Sequence, residues 1–320
     1  MGENAGVIRS GAVAVGMAVG VGVDAMVGDP RKGHPVAVFG SRAAALERRI
    51  YRDSRLRGVL FAGVCAGVVA GIGVLAERAS RGRPLVSAAV TAAATWAVLG
   101  GTTLAREGTH MANALERDDI TAARRRLPHL CGRDPSELQS PELARATVES
   151  IAENTSDAVV APLFWGAVAG VPGLLAYRAV NTLDAMVGHR SPRYARFGWA
   201  SARLDDLANY LPARVTALLT AALAPVVGGS PYTTITVLAR YGDRHPSPNS
   251  GQCEAAFAGA LGVRLGGVNN YAGRVERRPE LGDGPPPALP DIRRSVRLAR
   301  AVSWTAAGLA ILVRHFRAGR

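Results

Sequence analysis

The chain has 320 residues, 48% of them hydrophobic, with a formal net charge of +13. That length suits one large or two ordinary domains. The positive excess invites nucleic acid, but the arginines are spread over every polar stretch and form no basic stripe with interleaved aromatics, so no nucleic-acid partner is expected.

Residues 11–28 carry a single charge, Asp24, and could serve as a retained N-terminal anchor, since no convincing small-residue cleavage site follows. The stretch from Gly28 to Pro35 reads as a loop from its glycines and prolines. Residues 41–57 read as a basic amphipathic helix at a membrane surface. Residues 58–76 and 85–105 hold no ionisable side chain except Cys65. As helices they would each span roughly 28–32 Å, the thickness of a bilayer core. Residues 106–148 are polar and helical in character, interrupted at Pro128, Pro135 and Pro141, with a turn at 127–132. Weaker apolar segments follow at 158–177, 215–229 and 301–313. The one short strand candidate is 232–237. A Pro/Gly/Ser loop at 243–251 feeds a small-residue helix at Glu254, and 282–290 reads as a flexible linker before the last helix. The expected fold is all-α: a polytopic integral membrane protein with four to six transmembrane helices, helical polar loops and possible re-entrant segments. Residues 1–320 form a single membrane-embedded domain in this reading, with 106–157 and 178–214 as its polar motif segments. The loops after the first, third and fifth apolar segments carry 25 of the 38 Lys and Arg residues. That bias puts these loops in the cytoplasm.

Chemistry concentrates at residues 149–157. On a helix Glu149, Glu153 and Asp157 fall at i, i+4 and i+8, so three carboxylates share a face and repel unless a cation stands opposite. Arg178, Asn181 and Asp184 share another face, and Asp205 and Asn209 lie one turn apart. The turn at Asn249, Ser250 and Gly251 opens the helix of Glu254 and presents backbone N–H groups, a natural anion seat. For each alone, capping or a surface ion pair is the plainer account. Together the carboxylates and amides (Glu149, Glu153, Asn154, Asp157, Asn181, Asp184, Asp205, Asn209) suit Mg2+, which prefers oxygen and commonly bridges to phosphates. Arg178 and Arg203 suit phosphate oxygens, with His34 and His189 as further candidates. Lys32 is the only lysine. That excludes a Walker A loop and argues against a Schiff-base mechanism. Cys65, Cys131 and Cys253 have neither metal-ligand spacing nor the makings of a disulfide framework. The string Asp24-Ala-Met-Val-Gly28 recurs as Asp184-Ala-Met-Val-Gly188, either by chance in an Ala/Val/Gly-rich chain or as an internal pseudo-repeat.

Five strings carry a resemblance. They are Gly28-Asp-Pro…His34-Pro-Val, Glu149-Ser-Ile-Ala-Glu-Asn-Thr-Ser-Asp…Ala161-Pro-Leu-Phe-Trp165, Tyr177-Arg-Ala-Val-Asn-Thr-Leu-Asp-Ala-Met-Val-Gly188, Phe197-Gly-Trp-Ala-Ser-Ala-Arg-Leu-Asp-Asp-Leu-Ala-Asn-Tyr-Leu-Pro-Ala-Arg214 and Ser247-Pro-Asn-Ser-Gly…Glu254-Ala-Ala-Phe-Ala-Gly. In this order they resemble the CobD/CbiB family of adenosylcobinamide-phosphate synthases, over about residues 15–275. The resemblance implies a multi-pass inner-membrane ligase with its motif loops facing the cytoplasm. It would join a propionate of adenosylcobyric acid to (R)-1-amino-2-propanol or its O-phosphate, with ATP and Mg2+ expected. In that scheme Glu149, Glu153 and Asp157 hold the metal, and Asp184 or Asp205 takes the amine proton. Arg178 or Arg203 neutralises phosphate, and the Asn249–Ser250 turn seats the amino-alcohol phosphate. Expected partners are the corrinoid and amino-alcohol substrates, the lipid bilayer and other cobalamin-assembly membrane proteins. The competing readings are a transporter and a non-catalytic membrane sensor. Residues clustered at segment ends favour the enzyme over the first, and several intact carboxylate-and-amide motifs favour it over the second.

Overall fold

The computed structural model describes residues 2–30, 33–189, 191–271 and 274–316; Lys32 lies outside them. In chain order the elements are α1 (Gly2–Val27), α2 (Pro35–Ile50), α3 (Arg55–Ala79), α4 (Pro84–Val98), α5 (Gly101–Glu116), α6 (Ile120–Arg126), α7 (Ser140–Thr155), α8 (Ala161–Leu183), α9 (Trp199–Leu223), α10 (Pro231–Tyr241), α11 (Ser250–Leu261), strands β1 (Leu265–Tyr271) and β2 (Arg274–Leu281), and α12 (Leu289–Phe316). The protein is an all-α polytopic membrane protein with one antiparallel hairpin. Among the described residues, five stretches are long and apolar enough to cross a bilayer: Arg55–Ala79, Pro84–Glu116, Ser140–Gly188, Trp199–Val227 and Leu289–Phe316. The chain divides into two compact units. The first comprises Met1–Gly100, Ala161–Asn209 and Ala306–Arg320, the second Gly101–Val160 and Tyr210–Thr305.

In the first unit, α1 packs along α4 through small residues. A Cβ on Gly16 would stand 2.5 Å from the Ala88 carbonyl oxygen, and one on Gly20 2.6 Å from that of Ala92. The Gly16-x-x-x-Gly20 spacing thus lets two backbones touch, the usual way helices associate where lipid removes the hydrophobic drive. Gly16→Leu is expected to cost roughly 1–3 kcal/mol by overpacking this seam, read as a lowered midpoint of thermal unfolding in detergent. An unchanged midpoint would mean that the two helices part freely.

The second helix of this unit is shifted from its sequence expectation. Residues 41–57 do not form one helix: α2 runs Pro35–Ile50 and α3 starts at Arg55. Pro35 opens α2 with its φ preset, and His34 Nδ1 accepts the Val36 N–H (3.2 Å) as the cap. Nor does α2 lie free at a surface, because Ala43 packs in a core with Phe61, Leu183, Val187 and Phe197.

The segment 158–177 is broken, as its glycines and prolines suggest. At Gly170 the backbone takes φ 69° and ψ −148°, and Pro172 follows. The chain folds back there: Gly166 lies against Leu174, and Gly173 against the carbonyl of Trp165. Residues eight apart in a straight helix are about 12 Å apart, so these contacts need a reversal. The arms, residues 161–169 and 171–183, reach about 14 and 20 Å, and neither crosses a bilayer core alone. Glu77 Oε1 accepts the Val171 N–H (3.0 Å) and so caps the second arm. By contrast, 215–229 is no separate re-entrant segment. It continues α9 into a 3-10 turn at Ala224–Val227, closed by Gly228 at φ 76°.

In the second unit, α7 packs against α5 and α11, and α11 against α10, with Leu143, Ile151, Phe257 and Leu265 fully buried. Pro141 sits in the first turn of α7, where Gln139 N–H donates to Glu142 (3.0 Å) in a capping box. The strand expected at 232–237 is helical, inside α10, because Ser230 caps that helix and Pro231 starts it. The hairpin stands instead at Leu265–Leu281, where two glycines, two asparagines and Pro279 speak against a strand. A bulge between Leu265 and Gly267 absorbs Gly266 and Gly267, at φ 88° and 98°. Residues 282–288 are anchored rather than flexible. Arg264 N–H donates to the Pro285 carbonyl (2.9 Å), and Gly284 packs on the Gly262 carbonyl where no side chain would fit.

Candidate functional site

The second unit gathers the acidic face. Glu149, in α7, is 2% exposed. One carboxylate oxygen pairs with Arg133, the other accepts the Gly266 N–H of the hairpin (2.6 Å), and Arg145 stands 3.8 Å away. Arg145 also donates to the carbonyls of Gly266 and Val268, fastening β1 to α7. One turn on, Glu153 accepts the Ser250 hydroxyl (2.7 Å). Beyond Thr155 a π turn, Ser156–Val160, takes over the register. The charges of Glu149 and Glu153 bear on Glu254, and those of Glu153 and Asp157 on Cys253, so all three acids look toward α11. Asn154 donates to Ser150 O (2.9 Å) and to Leu130 O (3.5 Å).

Facing them, Glu254 is 1% exposed, with His245 Nε2 at 3.9 Å. Burial, reinforced by the Glu149 and Glu153 charges, holds its carboxyl well above the usual carboxylate range. Burial, with Arg278 beside it, lowers His245 below the ordinary imidazole value. Both shifts favour the uncharged form of the group concerned. His245 Nδ1 accepts the Ser247 N–H (3.0 Å), and Arg278 approaches Nε2 at 3.2 Å. Cys253 is buried and its thiol is pushed up, so it is no thiolate nucleophile at neutral pH.

The raised Glu254 carboxyl gives a pH signature. A group whose folded pKa lies above its unfolded value contributes most below the unfolded value, near 4.5, and that contribution is lost as pH rises through the folded pKa. Glu254→Gln keeps the neutral shape and drops the titration. Its unfolding midpoint relative to wild type is expected to climb between pH 5 and pH 8. A difference that is flat with pH would place an ionised Glu254 in the fold.

The Asn249–Ser250 turn is already engaged. Its two backbone N–H groups donate to Ser247 Oγ at 3.3 and 3.2 Å, and Asn249 Oδ1 lies 3.5 Å from Arg214. Among the described residues no group of three or more His, Cys, Asp or Glu side chains is placed to hold a metal ion.

The first unit brings together a second set. The Asp205 carboxylate accepts from Asn181 Nδ2 (3.3 Å) and Asn209 Nδ2 (3.0 Å), and Tyr177 OH donates to Asn209 Oδ1 (2.8 Å). Asp184 opens a π turn, Asp184–Gly188, and its carboxylate packs against Gly188, where a Cβ would collide with it. The matching string at Asp24–Gly28 instead closes α1, with Gly28 at φ 69°. The same five residues thus adopt two local structures and form no structural repeat. His34 Nε2 stands 3.5 Å from Asp29 Oδ1. Arg203 is an exposed partner of Asp206 (3.5 Å). His189 packs edge-on against Tyr194.

Sequence reasoning missed Arg133, Arg145, His245, Arg278 and the Gly266 N–H. Only His245 carried a signal, because it stands in the Pro/Ser loop before Glu254.

The model of the family described as CobD/Cbib protein matches residues 17–299. A protein named cobalamin biosynthesis protein CobD from Mycobacterium tuberculosis is 55% identical over 301 residues, covering 94% of this chain and 95% of its own. Proteins of the same name from Geobacter metallireducens (47% identical, 82% of this chain and 84% of the relative) and Rhodobacter capsulatus (42%, 89% and 92%) are also similar. No solved structure matches.

Proposed function

This chain belongs to the CobD/CbiB family of cobalamin biosynthesis, and we propose that its reaction is the formation of an amide. The partners in that bond are a propionate carboxylate of adenosylcobyric acid and (R)-1-amino-2-propanol or its O-phosphate. An amide does not form from a carboxylate in water unaided, so ATP activates it. A propionate oxygen attacks the γ-phosphorus and ADP leaves. The amine nitrogen then attacks the acyl carbon, phosphate leaves and the nitrogen loses one proton. Because ATP and corrinoid meet in the cytoplasm, the motif loops face that side.

The observation that carries this reading is the acidic face of the second unit, where Glu149 and Glu254 are buried and Glu153 and Asp157 half-buried, set on elements that the family match spans. Glu153 and Asp157 would hold Mg2+, an ion commonly bound by one or two carboxylates with waters and phosphate oxygens completing the shell. When bound it would offset the charge on the transferring phosphoryl group. Glu149, whose oxygens are engaged by Arg133 and Gly266, acts here as the post that fixes the hairpin. Asp205, held by two amides, is the acceptor for the amine proton, with Asp184 as the second candidate.

The folded-back α8 would also suit a permease, whose sites are built from broken helices. One assay separates the two. Purified full-length protein is given adenosylcobyric acid, aminopropanol or its phosphate, Mg2+ and ATP, and corrinoid mass is followed. An ATP-dependent gain of one amino-alcohol unit, absent in Glu153→Ala, supports the ligase. No gain with either amine from folded protein favours the permease.

A further inference from the structure

In the first unit, the link between α2 and α3 carries charge that plays no part in the proposed chemistry. Residues 42–57 hold six arginines and two acids. Both acids are engaged by another segment. Glu47 accepts from Arg193 (3.0 Å) and from the Tyr194 hydroxyl (2.9 Å), and Asp53 stands 3.8 Å from Arg196. Arg48 and Arg49 are exposed in the last turn of α2, Arg52 is exposed in the link, and Arg55 and Arg57 stand in the first turn of α3. A helix C-terminus favours cations, which suits Arg48 and Arg49, but the N-terminus of α3 is itself positive and opposes Arg55 and Arg57. No acid stands in that first turn, and Ser54 makes no side-chain cap bond to it. Like charges gathered at the positive end of a helix are stable when an anion answers them.

The surroundings of the patch say which anion. Gly58, where a Cβ would strike the Phe197 carbonyl, fastens α3 to the chain just before α9. Trp199 is thereby set beside Arg55, whose guanidinium lies 5.4 Å from the ring centroid. Trp199 and Leu56 are both exposed, and from Gly58 to Ala76 the helix carries no charged side chain. Only 22% of its most apolar stretch is buried within the fold, so α3 presents most of that stretch to lipid. Arginines and a tryptophan at the end of a lipid-facing helix stand at headgroup level. The anion met there is the lipid phosphodiester, whose paired oxygens fit the planar fork of a guanidinium.

We infer that Arg48, Arg49, Arg52, Arg55 and Arg57, with Trp199 beside them, form a docking site for an anionic glycerophospholipid of the leaflet at that end of α3. The ligand is a resident lipid, neither substrate nor product of the amide reaction. The site stands on this patch and not on that reaction.

The test is native mass spectrometry of the full-length protein released from detergent, titrated with phosphatidylglycerol or with phosphatidylcholine. Neither ATP nor corrinoid is present, so the result is independent of any ligase assay. Phosphatidylglycerol is expected to bind at least tenfold tighter than phosphatidylcholine. An arginine near the membrane surface contributes roughly fivefold, so Arg49→Gln with Arg52→Gln should lose at least tenfold of that affinity. The exposed pair Arg117→Gln with Arg125→Gln should stay within twofold of wild type. Equal affinity for the two lipids, or a value within twofold of wild type in the Arg49 and Arg52 double variant, overturns the inference. An equal loss in both double variants overturns it too, because the preference would then follow net charge alone. Glycerol phosphate serves as the soluble competitor. Displacement of phosphatidylglycerol at matched concentration overturns the lipid in favour of a soluble anion, and retention supports it. Should the Arg49 and Arg52 double variant fail to fold, Arg52→Gln alone should lose at least threefold, and unchanged affinity there overturns the inference equally.

Discussion

Arg133→Ala is expected to destabilise the second unit by about 3–5 kcal/mol, the usual cost of removing one partner from a buried ion pair. Glu149 would be left as a nearly inaccessible carboxylate, held by one backbone N–H and an arginine 3.8 Å away. That loss is a large share of the roughly 5–15 kcal/mol that separates a folded domain from its unfolded chain. The readout is the unfolding midpoint in detergent, together with protease cleavage at the 127–139 turn. The decisive companion is Arg133→Met with Glu149→Leu. Replacing both charges by apolar groups removes the desolvation cost along with the attraction, so the double variant should recover most of the stability. If Arg133→Ala melts with wild type, the pair is solvated and the acidic face is more open than the structure has it. If the double variant is no better than the single, the hairpin contact through Gly266 contributes more than the ion pair does.

The contrast between Glu149 and Arg133 explains what was legible in the sequence and what was not. Helical spacing places Glu149, Glu153 and Asp157 together because the three belong to one stretch of chain. It cannot supply the cation opposite, since Arg133 lies on another turn and the Gly266 N–H is 117 residues away. The break in α8 was readable from Pro162, Gly170 and Pro172, since these residues act on their own backbone. The hairpin was not, because Gly266, Gly267 and Pro279 argue locally against a strand and only the pairing of β1 with β2, fastened to α7 by Arg145 and Glu149, makes one. In the same way Tyr232–Val237 has the side chains of a strand, and a cap at Ser230 with Pro231 behind it decides for helix. Local chemistry fixed the candidates, and tertiary contacts chose which of them are neutral, paired or free to react. Glu254 shows this most plainly. The string around it identifies an acid at a helix start, while its protonation is set by burial and by two carboxylates from another helix.

Asp205→Asn is expected to slow amide formation by about 10²–10⁴-fold, the range for loss of a positioned proton acceptor. The shape of the site should survive, because an asparagine can accept through its one oxygen from Asn181 or Asn209. The folded fraction and unfolding midpoint should therefore stay near wild type while kcat falls. Asn181→Ala is the graded companion. It leaves the carboxylate but removes one of the amides that donate to it, so a loss of about tenfold is expected, the worth of a single hydrogen bond to a charged group. The pH profile distinguishes base catalysis from mere positioning. With the carboxylate as acceptor, the acid limb of wild-type kcat should disappear in Asp205→Asn. In Asn181→Ala the limb should persist, with lower rates throughout. Full turnover in Asp205→Asn would move the proton acceptor to Asp184, whose carboxylate packs against Gly188. The network of Tyr177, Asn181 and Asn209 would then be a brace for α9 against α8, and its removal would register in stability alone.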